Sequence, residues 1–345
     1  MNINFPNNQH LLIVAVIAIT ALFVIQLIVQ WWREQQYSLK GKTVLVTGGS
    51  RGLGLVMARQ LVQQEANLAI CARDSTELEK ARIDLEQRGG EVLAVPCDLT
   101  DELEVKQMIR FVSDRFGQID VLINNAGTIQ VGPIQEMTLD DYEEAIKIHF
   151  WAPLYTTLAV LPDMRQRHEG RIVNISSIGG KVSVPHLLPY SASKFALVGL
   201  SEGMHSELAK DGIVVTTVCP GLMRTGSPYN AYFKGKHREE YAWFSISDSL
   251  PILSISAESA AKQIIAALRR GDAEVILSIP AHIGDKFHAL FPGFTSLLLS
   301  WVNRFLPEAD GIGSDRVQGK DSKSSISSSV LTSLTDQAAQ QNNQY

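Results

Sequence analysis

Seven short apolar runs, separated by stretches with helical periodicity, constrain the fold of this chain more than any other feature. The runs read TVLVT, NLAICA, EVLAVP, IDVLIN, RIVNIS, IVVTTV and AEVILS. Continuous runs of Val, Ile and Leu are typical of strands buried on both faces, and the intervening helices can cover both faces of a parallel sheet. The pattern therefore predicts an α/β fold, with one domain over residues 42–280 built on a doubly wound parallel sheet of about seven strands.

Charge and cysteine content exclude several other classes of protein. The 345 residues include 36 acidic and 31 basic side chains, a net charge of −5, so there is no reason to expect a nucleic-acid partner. Cys71, Cys97 and Cys219 are widely separated and form no CxxC motif. We therefore expect neither a disulfide framework nor a metal site, and interpret the three thiols as small buried side chains.

The N-terminal segment Leu11–Trp32 contains no charged residue. A helix of that length spans about 30 Å, the thickness of a bilayer's hydrocarbon core. Residues 1–10 carry no Lys or Arg, which disfavours a signal peptide. Trp31 and Trp32 suit a membrane interface, and basic residues follow them. We therefore expect a short segment 1–10, a transmembrane helix at 11–32 in contact with membrane lipid, and a single-pass protein whose domain is cytoplasmic. A buried core helix is the alternative.

Three further segments lie outside the strand–helix alternation. Residues 222–256 are aromatic and irregular, as insertions that cover a substrate pocket commonly are. Residues 281–306 form an apolar helical extension broken at Pro292–Gly293, either a hairpin that covers the pocket or an interfacial membrane contact. Residues 307–345, rich in Ser, Gln, Asp and Asn, predict a disordered tail.

The sequence TVLVTGGSRGLG reads as a strand, a glycine turn and the start of a helix, with glycines at 48, 52 and 54. Glycine permits the tight turn and lets the backbone approach a pyrophosphate, which the helix N-terminus can bind. Where an NAD-binding fold would place a carboxylate, after the second strand, the chain has Ala72 and Arg73. Arg73 and Arg51 together suit a 2′-phosphate, so we expect NADP rather than NAD, with Asp74 paired to an arginine or facing water.

Polar residues also follow the next two strands. Asp98, in PCDLTD, can accept a hydrogen bond from an adenine amino group. The segment Asn124–Gly127, in LINNAG, places small polar backbone at the carboxyl edge of the sheet, where ligands of open α/β sheets bind. Both positions therefore predict contacts with a nucleotide.

A tyrosine and a lysine lie four residues apart in YSASK, and such residues share one face of a helix. The Lys194 ammonium can then approach the Tyr190 phenol, and a nearby cation favours the ionised form of that phenol. Ser177 ends the strand RIVNIS thirteen residues upstream, where its hydroxyl can donate to a carbonyl oxygen. The three residues therefore predict acid–base chemistry on a carbonyl or an alcohol.

Together, TGGSRGLG, NNAG, Ser177, YSASK and CPGLMRT resemble the short-chain dehydrogenase/reductase family, in its single-domain Tyr-x-x-x-Lys branch, over roughly residues 42–280. The resemblance implies a Rossmann-type sheet and an oxidoreductase that uses NADP(H). It implies that Tyr190 is the proton donor or acceptor, that Ser177 orients the substrate carbonyl, and that Lys194 binds the nicotinamide ribose and depresses the tyrosine pKa. Besides Tyr190 and Lys194, the implied cofactor contacts are Gly48, Ser50, Arg51, Gly52, Leu53, Gly54, Arg73, Asp98, Leu99, Asn125, Ala126 and Gly127, with Pro220, Gly221 and Thr225 flanking the nicotinamide.

One position departs from that family's pattern. The family usually has an Asn that holds a water of the proton relay, and His149 stands at the corresponding place, 41 positions before Tyr190. Its ring nitrogens could hold that water, although a packed histidine at a helix turn is the alternative. The anchor and apolar flanks favour a lipophilic carbonyl or alcohol substrate, and a homo-oligomer is compatible with such a chain. The alternative function is a non-catalytic NADP-binding regulator or scaffold, with His149 marking lost activity.

Overall fold

The structure is a computed structural model that describes residues 8–324, residue 327 and residues 332–345. Within the first helix it describes no side chain at positions 8–13, 15, 19, 22 and 23. The predicted segment 1–10 therefore lies mostly outside the described residues.

Seven strands form one parallel sheet, which confirms the predicted α/β fold. Their order across the sheet is β3–β2–β1–β4–β6–β7–β11. In β1, Val44 pairs with Leu68 of β2 on one side and with Val121 of β4 on the other. The strand order reverses at this point, and ligands of open α/β sheets bind outside the carboxyl ends of the strands there. The strands of the sheet are β1 (Thr43–Thr47), β2 (Asn67–Ala72), β3 (Val92–Pro96), β4 (Val121–Asn124), β6 (Gly170–Ile175), β7 (Ile213–Pro220) and β11 (Glu274–Leu277).

Successive residues of a strand point to opposite faces of the sheet. Both sets are apolar here, so helices pack on both faces. Val44 and Val46 pack into a core that includes residues of α2, α3 and α9, whereas Leu45 packs into a second core with residues of α4 and α6. The helices of the domain are α2 (Gly52–Val62), α3 (Ser75–Gln87), α4 (Glu102–Phe116), α5 (Leu139–Ile146), α6 (Ala152–Arg167), α7 (Leu188–Leu208), α8 (His237–Ser249) and α9 (Ala257–Arg270).

A layer of short elements lies outside the main sheet. The short strands are β5 (Gln130–Val131), β8 (Leu222–Arg224), β9 (Tyr232–Phe233), β10 (Ser254–Ser256) and β12 (Val317–Gln318). β8 pairs with β10, and β9 lies between β5 and β12. Phe233, Tyr241 and Phe244, from the irregular segment 222–256, form an apolar cluster against which Tyr190 packs. This segment therefore contacts the predicted catalytic tyrosine.

The N-terminal helix α1 (Asn8–Gln35) is attached to the domain at its last turn, where Glu34 forms ion pairs with Arg269 and Arg270. None of the helices within the described residues is both long enough and apolar enough to cross a bilayer. Among the described side chains of α1, the large apolar ones that are exposed are Val14, Val16, Ile17, Val24, Ile25, Leu27, Ile28, Val29, Trp31 and Trp32.

The apolar extension forms two helices, α10 (Ile279–Leu290) and α11 (Pro292–Val302), with the break at the predicted proline. The Phe287 ring contacts those of Phe291 and Phe294, which holds the two helices together. Much of the apolar surface of this hairpin is exposed rather than packed over the domain. The exposed side chains include Ile279, Ile283, Leu290, Leu297, Leu298, Trp301 and Phe305.

The prediction of a disordered tail at 307–345 is wrong for the described residues. β12 pairs antiparallel with β9, and α12 (Ser333–Gln341) packs on the domain, with Ala338 and Ala339 buried. The Thr335 hydroxyl accepts a hydrogen bond of 2.6 Å from the buried Ser249 hydroxyl. The polar composition of the tail predicted disorder, but composition does not show whether polar side chains find hydrogen-bonding partners. Here the domain supplies such partners.

Candidate active site

Ser177, Tyr190 and Lys194 meet at the carboxyl end of β6. Ser177 lies just after the strand, where its Oγ accepts a 3.0 Å hydrogen bond from the Gly179 N–H. A Cβ placed on Gly179 would lie 3.2 Å from the Tyr190 ring and 3.4 Å from Ser177 Oγ, so both side chains converge on that backbone. Lys194 Nζ donates to the Ile175 carbonyl at 2.8 Å and lies 5.7 Å from the centroid of the Tyr190 ring. The three residues that the sequence singled out are thus neighbours.

Burial determines the pKa values of Tyr190 and Lys194. For Tyr190 it acts in the direction opposite to the lowering that the sequence predicts. Burial raises the pKa of Tyr190 to about 12, against a smaller lowering by its hydrogen bond with Ser177. Burial also lowers the pKa of Lys194 to about 7. Both shifts disfavour charge in a low-dielectric site, and spacing along a helix does not reveal that effect. In this state Tyr190 is therefore a protonated phenol.

His149 lies in a π-helical turn, Lys147–Trp151, inserted between α5 and α6. The side chain is buried, and both ring nitrogens have protein partners. Nε2 accepts a hydrogen bond of 3.1 Å from the Thr128 N–H, so Nδ1 carries the proton and donates to Ser193 Oγ at 2.8 Å. Ser193 in turn donates to the Tyr190 carbonyl at 2.8 Å.

This geometry corrects the expectation that His149 holds a relay water, because the ring has no nitrogen left for one. Burial, and to a lesser extent the Lys194 charge, hold the pKa of His149 well below its usual value, so the imidazole is neutral. His149 instead joins the loop after β4 to the backbone of the turn of α7 that carries Tyr190. We expect it to be a positioning residue.

The glycine turn fits a backbone that must come close to a ligand. A Cβ on Gly54 would lie 2.1 Å from the Gly48 carbonyl oxygen, and one on Gly48 would lie 2.9 Å from Ala126 Cα. Asn125, directly after β4, stabilises the turn, because its side-chain amide donates to the carbonyls of Thr47 and Gly48. The N-terminus of α2, beginning at Gly52, therefore lies directly at the switch point of the sheet.

Gly127 links this turn to the catalytic group. A Cβ on Gly127 would lie 2.9 Å from His149 Nε2 and 3.8 Å from Lys194 Nζ. On the other side of the cleft, Pro220 ends β7 and Gly221 follows it, with a hypothetical Gly221 Cβ 2.6 Å from Ser278 Oγ. The buried Thr225 lies just after β8. The structure thus places these predicted contacts along the carboxyl edge of the sheet.

The two arginines expected at a 2′-phosphate differ in their surroundings. Arg73 is exposed at the end of β2. Arg51 forms an ion pair of 2.7 Å with Glu77, a carboxylate that the sequence reasoning did not consider. Asp74 neither pairs with an arginine nor only faces water, because it caps α3 by accepting from the N–H groups of Thr76 and Glu77.

The remaining predicted contacts lie on the loop after β3 and at the start of α2. Asp98 Oδ1 accepts hydrogen bonds from the backbone and side chain of Thr100, and Leu99 is buried beside it. Ser50, two residues before α2, and Leu53, its second residue, are also buried. The part of the chain that the structure describes brings no three His, Cys, Asp or Glu side chains together as a metal site would need.

Two structural features beside the site gave no signal in the sequence. The π-helical turn at His149 has no distinctive composition, although such turns are frequent at functional sites. The last four residues of the chain, Asn342–Tyr345, lie against the glycine turn, where the Asn342 carbonyl accepts a hydrogen bond of 2.9 Å from the Gly52 N–H. A polar C-terminus gives no indication that it docks there.

Comparisons with known proteins agree with the geometry. The family model described as short chain dehydrogenase matches residues 42–231, which include every predicted site residue. The dehydrogenase/reductase SDR family protein 7-like of Anopheles gambiae is 33% identical over 245 residues, 70% of this chain and 76% of that protein. The ketoacyl reductase HetN of Nostoc sp. is 36% identical over 186 residues, 54% of this chain and 65% of that protein. The crystal structure of a short-chain dehydrogenase from Streptomyces avermitilis superposes with a TM-score of 0.66 at 31% identity, over 76% of this chain and 98% of that one.

Proposed function

Because the chain belongs to the short-chain dehydrogenase/reductase family, whose members are oxidoreductases that bind NAD(P), we propose that it transfers hydride between NADP(H) and the carbonyl or hydroxyl carbon of a lipophilic substrate. The convergence of Ser177, Tyr190 and Lys194 beside the glycine turn carries this proposal. The residues present fit a dinucleotide, since Gly48 and Gly54 leave room for close approach and α2 begins at the cleft.

Each of the three side chains has a role in reduction that follows from its contacts. The bound nicotinamide would supply or accept the hydride. The Ser177 hydroxyl donates a hydrogen bond to the substrate oxygen, and the protonated Tyr190 phenol, with its pKa raised to about 12, supplies the proton to that oxygen. Lys194 uses one of its N–H donors on Ile175, and a remaining donor can bind a ribose hydroxyl.

A lipophilic substrate is supported by an apolar groove of about 920 Å³. One wall is β10 with the loop before it, including Ile255 and Leu253, and the other is α10, including Ile283 and Phe287. The groove lies beside the catalytic group, since Ser177, Tyr190 and Lys194 are not among its lining residues. Ile255 pairs with Met223 of β8. Because β8 begins directly after Gly221, a predicted nicotinamide contact, this pairing places the groove next to the proposed cofactor site. A relative named ketoacyl reductase makes acyl ketones the first substrates to test.

The NADP assignment and the activity can be tested in one assay. We expect the full chain to oxidise NADPH in the presence of at least one acyl, steroid-like or retinoid-like ketone. The Arg73→Ala variant should bind NADPH about 10–100-fold more weakly and leave NADH almost unchanged, because a charge-assisted hydrogen bond contributes about 1.5–3 kcal/mol. The measurements are steady-state KM and direct binding of both nucleotides.

Arg110→Ala, at an exposed position in α4, is the charge-matched control and should change neither affinity. Equal losses for NADPH and NADH in Arg73→Ala would contradict the 2′-phosphate assignment. Nucleotide binding without turnover on the whole panel would favour the alternative function, a non-catalytic NADP-binding regulator or scaffold.

We also propose that Leu11–Trp32 anchors the protein in a membrane, with the domain on the cytoplasmic side. The uncharged sequence and the exposed apolar side chains of α1 support this, as do Arg33 and Lys40 on the domain side of the segment. The full chain should remain in the membrane pellet after carbonate washing and be digested by a protease added from the cytoplasmic face. Extraction by carbonate would contradict the anchor.

The same fractionation tests the exposed hairpin α10–α11 as an interfacial contact. A chain lacking residues 1–32 should keep part of its membrane association if the hairpin binds lipid. Complete loss of membrane association in this truncated chain would exclude an independent role for residues 279–302.

A further inference from the structure

The C-terminal segment Asn342–Tyr345 enters the cleft that the proposed function assigns to the dinucleotide. α12 ends at Gln341, and Asn343 then adopts a left-handed backbone conformation with φ of 56°. Asn tolerates this conformation better than most residues, so it can reverse the chain into the cleft. Asn342 and Gln344 are buried there, whereas Tyr345 is 49% exposed.

At the glycine turn, the segment occupies one N–H donor and the space above Gly52 that a pyrophosphate could use. The Asn342 carbonyl accepts the Gly52 N–H at 2.9 Å, and this N–H is the first of α2. The Asn343 amide donates to the Ser50 carbonyl at 2.9 Å, and a Cβ on Gly52 would lie 2.7 Å from Gln344 Nε2. The backbone N–H groups at a helix N-terminus bind phosphate oxygens, so the Asn342 oxygen occupies such a position.

At the other end, the segment reaches Thr225, one of the predicted nicotinamide contacts. Gln344 Nε2 donates to the Thr225 carbonyl at 3.4 Å. The Asn230 amide donates to both the backbone and side-chain oxygens of Gln344, at 2.9 and 2.7 Å. The Tyr345 ring packs edge-on against Tyr229, with centroids 4.4 Å apart. The four residues therefore bridge the cleft from the glycine turn to the loop after β8.

The helix before this segment is itself docked, which keeps the segment close to the cleft. Ser249 donates to Thr335, and Arg59 donates to the Gln341 carbonyl at 3.0 Å and to the Asn342 side chain at 3.2 Å. A Cβ on Gly226 would lie 2.4 Å from Ala339 Cα, so the turn before Tyr229 approaches the α12 backbone closely. A tethered segment of this kind acts at a high effective concentration.

We propose that Asn342–Tyr345 is an intramolecular competitor of the dinucleotide, so that the chain closes its own cofactor cleft and must release its C-terminus to bind NADP(H). This inference rests on the proposed function, because it takes the cleft to be the dinucleotide site. The segment and the cofactor require the same Gly52 N–H and the same space over the glycine turn. The apparent affinity for the cofactor is then reduced by the fraction of molecules in the open form.

The test compares NADPH binding by the full chain and by a chain ending at Gln341, with direct titration as the readout. If about nine-tenths of the molecules are closed, the shortened chain should bind about tenfold more tightly. Gln344→Ala should give part of this gain, because it removes the side-chain bonds to Thr225 and Asn230 and keeps only the bond from Asn230 to the Gln344 backbone. Gln340→Ala, at an exposed position on α12, is the matched control and should leave affinity unchanged. In the full chain, saturating NADPH should speed the removal of residues 342–345 by carboxypeptidase.

Each possible result either supports or contradicts the competition between the segment and the dinucleotide. Equal affinity of the two chains would overturn the competition but leave the proposed function standing. Weaker binding by the shortened chain would make the segment part of the cofactor site, which also overturns the proposal. If neither chain binds any dinucleotide, the cofactor assignment fails and the competition fails with it.

Discussion

Replacing Tyr190 with Phe is expected to lower turnover by about 10²–10⁴-fold, the usual contribution of a positioned general acid. The substitution removes only the hydroxyl, and the ring keeps its packing against the apolar cluster that includes Phe233 and Tyr241. NADPH binding should therefore remain close to that of the wild type. The measurements are kcat on the best substrate of the panel and direct titration with NADPH.

Tyr241→Phe is the matched control for this experiment. It removes a phenol hydroxyl from the same apolar cluster, but one that does not contact Ser177 or Lys194 through any described hydrogen bond. Its turnover should stay near the wild-type value. A Tyr190→Phe enzyme that keeps near-wild-type kcat would show that another group donates the proton.

Replacing His149 with Leu is the second change with a large expected effect. It leaves the Thr128 N–H without its acceptor and Ser193 without its donor, and each buried polar group left unpaired costs about 1–3 kcal/mol. The free energy of unfolding should fall accordingly, and kcat should fall with it because Ser193, which holds the Tyr190 carbonyl, is no longer linked to Thr128. In the His149→Asn variant the new side chain is too short to reach both partners, so an intermediate loss is expected.

The pH dependence of stability helps to distinguish a His149 that positions Tyr190 from a His149 that holds a relay water. The pKa of His149 is well below 6.5 in the folded chain and near 6.5 when unfolded, so below pH 6.5 the unfolded chain binds a proton that the folded chain does not. Stability should therefore fall as pH falls below 6.5, by up to about 1.4 kcal/mol per pH unit, and this slope should be absent in His149→Leu. Ser193→Ala, which removes the hydrogen bonds of Ser193 to His149 and to the Tyr190 carbonyl but keeps the imidazole, should retain the slope. A loss of kcat in His149→Leu with unchanged stability and slope would restore the relay-water role.

The sequence was sufficient for the sheet and for the neighbours of Tyr190, since both depend on local patterns. Apolar runs such as TVLVT mark strands buried on both faces, and residues four apart in a helix share a face. It was insufficient where the outcome depends on distant contacts. The direction of the Tyr190 pKa depends on burial, the partners of His149 lie on two other segments, and the docking of Asn342 requires a cleft that exists only after the sheet has formed.

The π-helical turn Lys147–Trp151 indicates that one residue could be deleted here while the fold is kept. Such a turn holds one residue more than the α-helix that it interrupts. Deleting Phe150 would let α5 and α6 join as one regular helix, with the outer ends of both helices still packed as before. The side chain of His149 would then rotate by as much as about 100°, one residue's turn of the helix, away from Thr128 and Ser193. The extra residue therefore makes the helix locally less regular, but it places the His149 imidazole between its two partners. The combined length of α5, the turn and α6 is thus a requirement of the site rather than of the fold.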